Sequence, residues 1–432
     1  HVYAENLQAM VESDQLQENL IDDLVLEILA VKYQMGLFDS HGQKTVTPSQ
    51  QKNVIQVAQQ LAEQSMVLLK NADKVLPLDK NSSGHFLLVG PMADQPLEQL
   101  GTWVFDVEQA NSITLKTALE NELGESLSFH PGLQTSRDQS HVQFKAVSKM
   151  AKAADLVILA LGEEAILSGE AHCRTDIRLP GAQEALISAV AELGTPIIAI
   201  VMAGRPLVME AVIDKFDGLL YAWHPGSMAG PALVNVLLGN TNPSGKLPMT
   251  IPRAVGQVPI YYGHGNTGKP ATPETVIGLD DIDPHASQLS VGNTSFHLDV
   301  APSPQFCFGF GLSYSQFVYG DLRFSRESLK PDQSLEVSVL LENTGPVDGV
   351  EVAQLYIRDP VASVTRPVRQ LKKFQRVALK SQTSIKLIFS IQWQDLSFFN
   401  GSSWLVEAGI IEIYVGGSSD ARLGGQIQLV TS

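Results

Sequence analysis

The stretch from Gly162 to Gly181, GEEAILSGEAHCRTDIRLPG, brings together the carboxylates of Glu163, Glu164 and Glu170, the imidazole of His172, the guanidinium of Arg174 and the carboxylate of Asp176. Side chains of these kinds move protons and bind polar ligands, and Gly169 permits a sharp bend among them. The same composition also describes a solvated surface loop whose charges only keep a protein in solution. Its flanks decide where it stands in a fold. Ala154 to Leu161 (ADLVILAL) is a nearly unbroken apolar run with β-branched residues, as expected of a strand buried on both faces of a parallel sheet. The chain resumes as a helix from Pro180. A polar loop between a buried parallel strand and a helix lies at the strand's carboxyl end, where open α/β sheets bind ligands.

The elements around this loop follow the same rhythm. Phe86 to Val89 opens a strand. The strand at Leu156–Leu161, a helix at Ala182–Leu193, a strand at Pro196–Met202, a helix after Gly204-Arg205-Pro206, a strand at Gly218–Trp223 and a helix at Ala229–Leu238 continue the alternation. Strand and helix in turn predict parallel strands joined by right-handed crossovers. Upstream, Leu16 to Tyr33 places apolar residues at Leu20, Leu24, Ile28 and Val31, the spacing of a helix that must dock on something. His41 to Gln51 reads as a linker, and Val54 to Leu69 as another helix. Asn242–Pro252 and Gln257–Tyr262 are proline-broken extended segments, Thr267–Pro304 a long polar surface insertion, and the aromatics of Phe306–Phe317 a core at a domain junction. After Gly320 the pattern turns to alternation, at Ser334–Leu341, Val350–Ile357, Ser384–Phe389 and Ile410–Val415, which predicts an antiparallel β-sandwich. The expected domains are 1–46 (helix and linker), 47–319 (α/β) and 320–432 (β-sandwich).

Composition narrows the functions. The chain has 432 residues, more than one core usually serves, and 44% hydrophobic residues, an ordinary globular content. A net charge of −16 disfavours nucleic acid and anionic lipid as partners. No apolar run is long enough to cross a bilayer. Cys173 and Cys307 lack zinc-site spacing, so no metal is expected; the sequence leaves open a single bridge between them or two free, partly buried thiols, and favours the thiols. The first βα loop, GPMADQP at Gly90, has no GxGxxG and a proline where a phosphate turn needs a donor, so no nucleotide cofactor is expected either. Triplets of the form N-x-[ST] at Asn81, Asn293 and Asn400 are no more than chance supplies.

The run VKYQMGLFD, AEQSMVLLKN, LLVGPMAD, GTW, RTDIRLPGAQ, NPSGKLPMTIPR, GQVPIYY, FGFGLSYSQF, DGVEVAQLYIRD and RPVRQLKKF resembles, in order and over essentially the whole chain, the C-terminal half of glycoside hydrolase family 3 β-glucosidases of the bacterial periplasmic type. The resemblance implies an α/β sandwich followed by a fibronectin-III-like β-sandwich, with the helix at Leu16–Tyr33 as the last helix of a (β/α)8 barrel that this chain lacks. Family members carry their nucleophilic aspartate on that barrel. Retaining glycosidases need two carboxyl groups about 5 to 5.5 Å apart, of which this chain supplies at most one. By the same resemblance Glu170 is the general acid/base, with Glu163 and Glu164 near enough in sequence to tune it; the alternative is that Glu170 only bonds a sugar hydroxyl or pairs with Arg174. Trp103 is implied to stack on a sugar ring, and Glu163, His172 and Arg174 to bind hydroxyls. The implied partners are a β-glucoside or short β-linked oligosaccharide and the barrel, in cis or in trans, and a homodimer is compatible with the chain. The implied location is periplasmic or secreted. The competing reading is a structural or carbohydrate-contacting fragment without turnover.

Overall fold

The computed structural model describes residues 2–39, 48–80, 84–272 and 274–431; part of the segment read as a linker, and Asn81, lie outside them. The chain divides into two units, His1–Val54 and Ile55–Ser432. The first holds helices α1 (Val2–Glu12) and α2 (Glu18–Gln34) and the start of α3 (Pro48–Ser65). On α2, the predicted apolar positions Leu20, Leu24, Ile28 and Val31 are all exposed, and no residue of the helix is buried.

The second unit begins with a six-stranded sheet. Its members are β1 (Val67–Asn71), β2 (Phe86–Val89), β3 (Leu127–His130), β4 (Leu156–Gly162), β5 (Ile197–Met202) and β6 (Gly218–Tyr221), interleaved with α4 (Leu115–Leu123), α5 (Phe144–Ala151), α6 (Gln183–Ala191) and α7 (Ala229–Leu237). The spatial order is β1-β6-β5-β4-β2-β3, with β1 antiparallel to β6 and every other pairing parallel. Period-two geometry sends successive strand residues to opposite faces. Val157, Leu159 and Leu161 pack with Val147 of α5 and Leu186 of α6, while Ile158 and Ala160 pack with Leu119 of α4 and Leu233 of α7. All seven residues of β4 are buried, so each large apolar side chain contributes about 1.5–3 kcal/mol. The result is a three-layer α/β domain.

Two expectations fail here for identifiable reasons. Val67–Leu69 does not prolong α3: Val67 joins one core and Leu68 the other, an alternation only an extended edge strand can provide. No α-helix follows Gly204-Arg205-Pro206, where only a short 3-10 turn forms at Ile213–Lys215. Val208 is drawn instead into a bridge with Arg178, its N–H donating to the Ile177 carbonyl at 3.0 Å, and burial of Leu207, Met209 and Val212 overrides helical spacing. Strand β3 was not anticipated. Cys173 and Cys307 are free, but Cys173 is exposed rather than partly buried.

The remainder is antiparallel apart from one short parallel pairing, of Ser328–Leu329 with Gln428–Leu429. Strands β7 (Phe317–Phe324), β8 (Ser328–Leu329), β9 (Ser334–Asn343), β10 (Gly349–Arg358), β11 (Gln370–Leu379), β12 (Thr383–Gln392), β13 (Phe398–Phe399), β14 (Trp404–Leu405), β15 (Gly409–Gly416) and β16 (Leu423–Leu429) make a β11-β10-β15-β16-β8 sheet, a β12-β9-β7 sheet and a small hairpin. Leu335, Val337 and Val339 of β9 face Leu355 of β10 and Ile413 of β15 in one core between the sheets. This sandwich is pinned to the α/β domain. Lys246 Nζ lies 3.0 Å from Glu351 and donates to the Gly311 carbonyl at 2.8 Å, and Gln354 donates to the carbonyls of Gly309 and Gly417. Tyr262 stacks on Phe308 at the same junction, where Phe306 and Phe310 close the α/β core as expected.

Candidate active site

Strand β4 delivers its loop at the carboxyl edge of the sheet, beside the loops that follow β2, β5 and β6. At Gly162, where φ is +139°, a Cβ would run into the Met202 backbone of β5, so only glycine lets the chain leave the strand here. Buried Gln183 at the start of α6 then closes the base of the loop. Its side-chain oxygen accepts from Gly162 N–H at 2.9 Å, and its NH2 donates to the carbonyls of Gly162 (2.8 Å), Pro180 (3.0 Å) and Ser136 (3.0 Å).

Glu163 is fully buried. Arg174 holds one of its oxygens, and Arg205, from the loop after β5, donates through Nε to the other at 3.0 Å. Arg205 also donates to the carbonyls of Leu167 and His172 (3.1 Å), and Arg174 to that of Arg178 (3.0 Å). A buried carboxylate under two guanidiniums, whose remaining donors hold the loop backbone, is an anchor. Glu163 therefore cannot touch a ligand as expected, and Arg174 is committed to the clamp. Glu164 accepts a two-pronged bond from Arg137, at 2.9 and 3.0 Å, and a third from Ser136 Oγ at 2.7 Å. The Arg137 guanidinium holds its pKa below the usual carboxylate value. Neither glutamate is thus an unpaired negative charge able to tune Glu170. Asp176, bonded by Arg178, is lowered from 3.8 to about 2.

The tip of the loop is different. Glu170, Ala171, His172 and Cys173 are exposed, Ala171 takes a left-handed φ of +62°, and no donor among the described residues pairs with the Glu170 carboxylate. His172 Nδ1 donates to the Ile166 carbonyl, which orients the ring.

Trp103 lies on the loop after β2 and is 64% exposed. A Cβ placed on Gly169 would lie 2.8 Å from His172 Nδ1 and 3.0 Å from Thr102 Oγ1, so the residues preceding Trp103 and Glu170 touch. Glu98 accepts from Ala165 N–H at 2.6 Å and ties the two loops together. Behind them, His224 Nε2 lies 3.3 Å from Ser168 Oγ of the Gly162–Gly181 loop, and burial pushes the His224 pKa down. Sequence reading missed Arg205, Glu98 and Gln183. Only Arg205 carried a signal, its place in the AGRP loop at the end of a parallel strand.

A three-layer α/β domain with a loop cluster beyond its strand ends, joined to a fibronectin-type sandwich, defines the class. Residues 66–314 match the Glycosyl hydrolase family 3 C-terminal domain and residues 351–419 the Fibronectin type III-like domain, and the chain belongs to that glycosyl hydrolase family. It is 33% identical to the Periplasmic beta-glucosidase of Salmonella typhimurium, over 99% of this chain and 58% of that protein. It is 32% identical to a Beta-xylosidase of Formosa agariphila, over 93% of this chain and 54% of that one. Among solved structures, the beta-glucosidase of Listeria innocua in complex with isofagomine superposes with a TM-score of 0.85 at 33% identity, covering 98% of this chain and 57% of that one. A mutant of that enzyme was solved with laminaribiose. The chain thus spans just over half the length of the relatives it matches.

Proposed function

We propose that this chain forms one wall of an exo-acting β-glucosidase site and delivers Glu170 as the general acid/base of a retaining hydrolysis, the nucleophilic carboxylate lying on polypeptide outside it. The observation that carries this reading is the contrast within the loop. Every other glutamate of the stretch is held by arginine, whereas Glu170 stands exposed and unpaired at a tip whose base is fixed. In the reaction Glu170 would protonate the glycosidic oxygen as the C–O bond breaks, then take a proton from the water that attacks the glycosyl intermediate. His172 and the Trp103 indole would hold the sugar beside it, the ring face stacking on a pyranose. Relatives named for glucosidase and xylosidase activity fit the class of substrate, and the Salmonella relative's name fits a periplasmic setting. No helix of the described residues is long and apolar enough to cross a membrane.

The test is reconstitution with the matching barrel polypeptide and assay on a chromogenic β-glucoside. Glu170→Ala is expected to lower kcat by about 10²–10⁴-fold, with partial rescue by azide; full activity in that variant removes Glu170 from the catalytic role. The exposure of Trp103 also suits a second reading, sugar contact without turnover. In that case calorimetry shows glucose or cellobiose binding to this chain, Trp103→Ala abolishes it, and no mixture with a barrel hydrolyses the glucoside.

A further inference from the structure

Strands β13 and β14 pair Phe398 with Leu405 and Phe399 with Trp404, and the residues between them, Asn400-Gly401-Ser402-Ser403, form an exposed turn. Asn400 is the only asparagine of the sequence that a glycine follows. That succession can do chemistry on itself. The main-chain nitrogen after an asparagine can reach the side-chain amide carbon and close a small ring with it, and a side chain on the following residue shields that nitrogen; glycine has none. At Gly401, where φ is +103°, even an added Cβ would meet nothing within 4 Å.

The turn also prepares the carbon to be attacked. Asn400 Oδ1 accepts from the N–H groups of Ser402 at 3.0 Å and Ser403 at 2.9 Å, and the Asn400 N–H donates to the Ser403 carbonyl at 3.1 Å. Two backbone donors on one carbonyl oxygen stabilise the negative charge that grows there when its carbon is attacked. The Gly401 N–H meets no acceptor among the described residues, so nothing withholds the attacking nitrogen. Other asparagines lack this combination. Asn242 precedes Pro243, which has no N–H, and buried Asn343 donates to the carbonyls of Val347 and Leu379 and precedes the branched Thr344.

We infer that Asn400 is a site of spontaneous modification, its side-chain amide converting to a carboxylate through a cyclic imide. A solvent base takes the Gly401 amide proton, the nitrogen forms a bond to Asn400 Cγ, and the Cγ–Nδ2 bond breaks to release ammonia. Water then opens the ring. Attack at Cγ gives aspartate, whose carboxylate still accepts from Ser402 and Ser403 and so preserves the turn. Attack at the main-chain carbonyl gives isoaspartate, which routes the backbone through the former side chain and adds a methylene between Phe399 and Trp404. Because those two rings lie 5.9 Å apart across the hairpin, the second product disturbs their pairing. Either product adds a negative charge beside two exposed aromatic rings. The inference is independent of the glycosidase reading and stands or falls without it.

Peptide mapping by mass spectrometry tests it, on the full 432-residue chain kept folded in warm, mildly alkaline buffer and sampled over days. The peptide carrying Asn400 is expected to gain one mass unit before that of any other asparagine, and the Asn400→Gln chain is expected to lose that shift. No gain at Asn400 in the folded chain, a gain only after unfolding in urea, or an earlier gain at another asparagine overturns the inference.

Discussion

Glu163 and Glu170 belong to one loop and carry the same side chain, yet the first is sealed beneath Arg174 and Arg205 while the second stands in solvent without a partner. At the root of the loop, charge is spent on position. Glu163 gathers two arginines, the arginines gather the backbone carbonyls of Leu167, His172 and Arg178, and Gln183 stitches the strand end to the helix start. At the tip, nothing competes with a ligand for the carboxylate. The difference shows how a fold can fix where a reactive group is while leaving the group itself free: the precision sits in residues that never touch a substrate.

Substitutions at the root should break this arrangement in proportion to what each leaves uncompensated. Glu163→Ala strands two buried or half-buried guanidiniums and is expected to destabilise the second unit by about 3–5 kcal/mol in urea unfolding. A loss under about 1 kcal/mol would mean the clamp is ornamental. Gln183→Ala leaves buried groups of Gly162, Ser136 and Pro180 without partners and should cost about 1–3 kcal/mol by the same measurement.

Acid should loosen the loop more gently. Glu164 and Asp176 have folded-state pKa values below their unfolded ones, Glu164 through Arg137 and Asp176 through Arg178. Their contribution is therefore complete above the unfolded values and lost as pH falls through the folded ones, for Asp176 between 3.8 and about 2. Hydrogen-exchange protection factors across residues 163–180, referred to the intrinsic rate at each pH, should fall over that range before those of the rest of the sheet. Smallest of all, Glu170→Ala should leave unfolding unchanged within about 0.5 kcal/mol. A larger loss would show that the tip also supports the fold.

The sheet was legible wherever burial was complete and local. The run at Ala154–Leu161 announced β4, and alternation at Ser334–Leu341 announced β9, because each strand's pattern is written along its own length. The segment after Gly204-Arg205-Pro206 was misread for the complementary reason: its residues are spaced for a helix, but the pairing of Val208 with Arg178 is a tertiary fact no local pattern contains. The site divides in the same way. The loop and its place beyond a strand end could be read directly, and resemblance pointed to Glu170 and Trp103. The fate of Glu163 could not be read, since one of its partners, Arg205, arrives from a different loop, and sequence alone cannot tell a glutamate that will be clamped from one that will be free.

Gly162 has a counterpart at Gly90, where φ is +131° and a Cβ would strike the backbone of Ala160 on the neighbouring strand. Two parallel strands thus end on the same side-stepping turn, each passing over the strand beside it. The chain just past each turn is anchored again, Met92 and Ala93 in the core and Glu163 beneath Arg174 and Arg205, so only segments further out, such as the tip at Glu170, can change without disturbing the layers beneath. Variety in what relatives recognise can then accumulate in these outgrowths, while the two turns themselves tolerate no side chain.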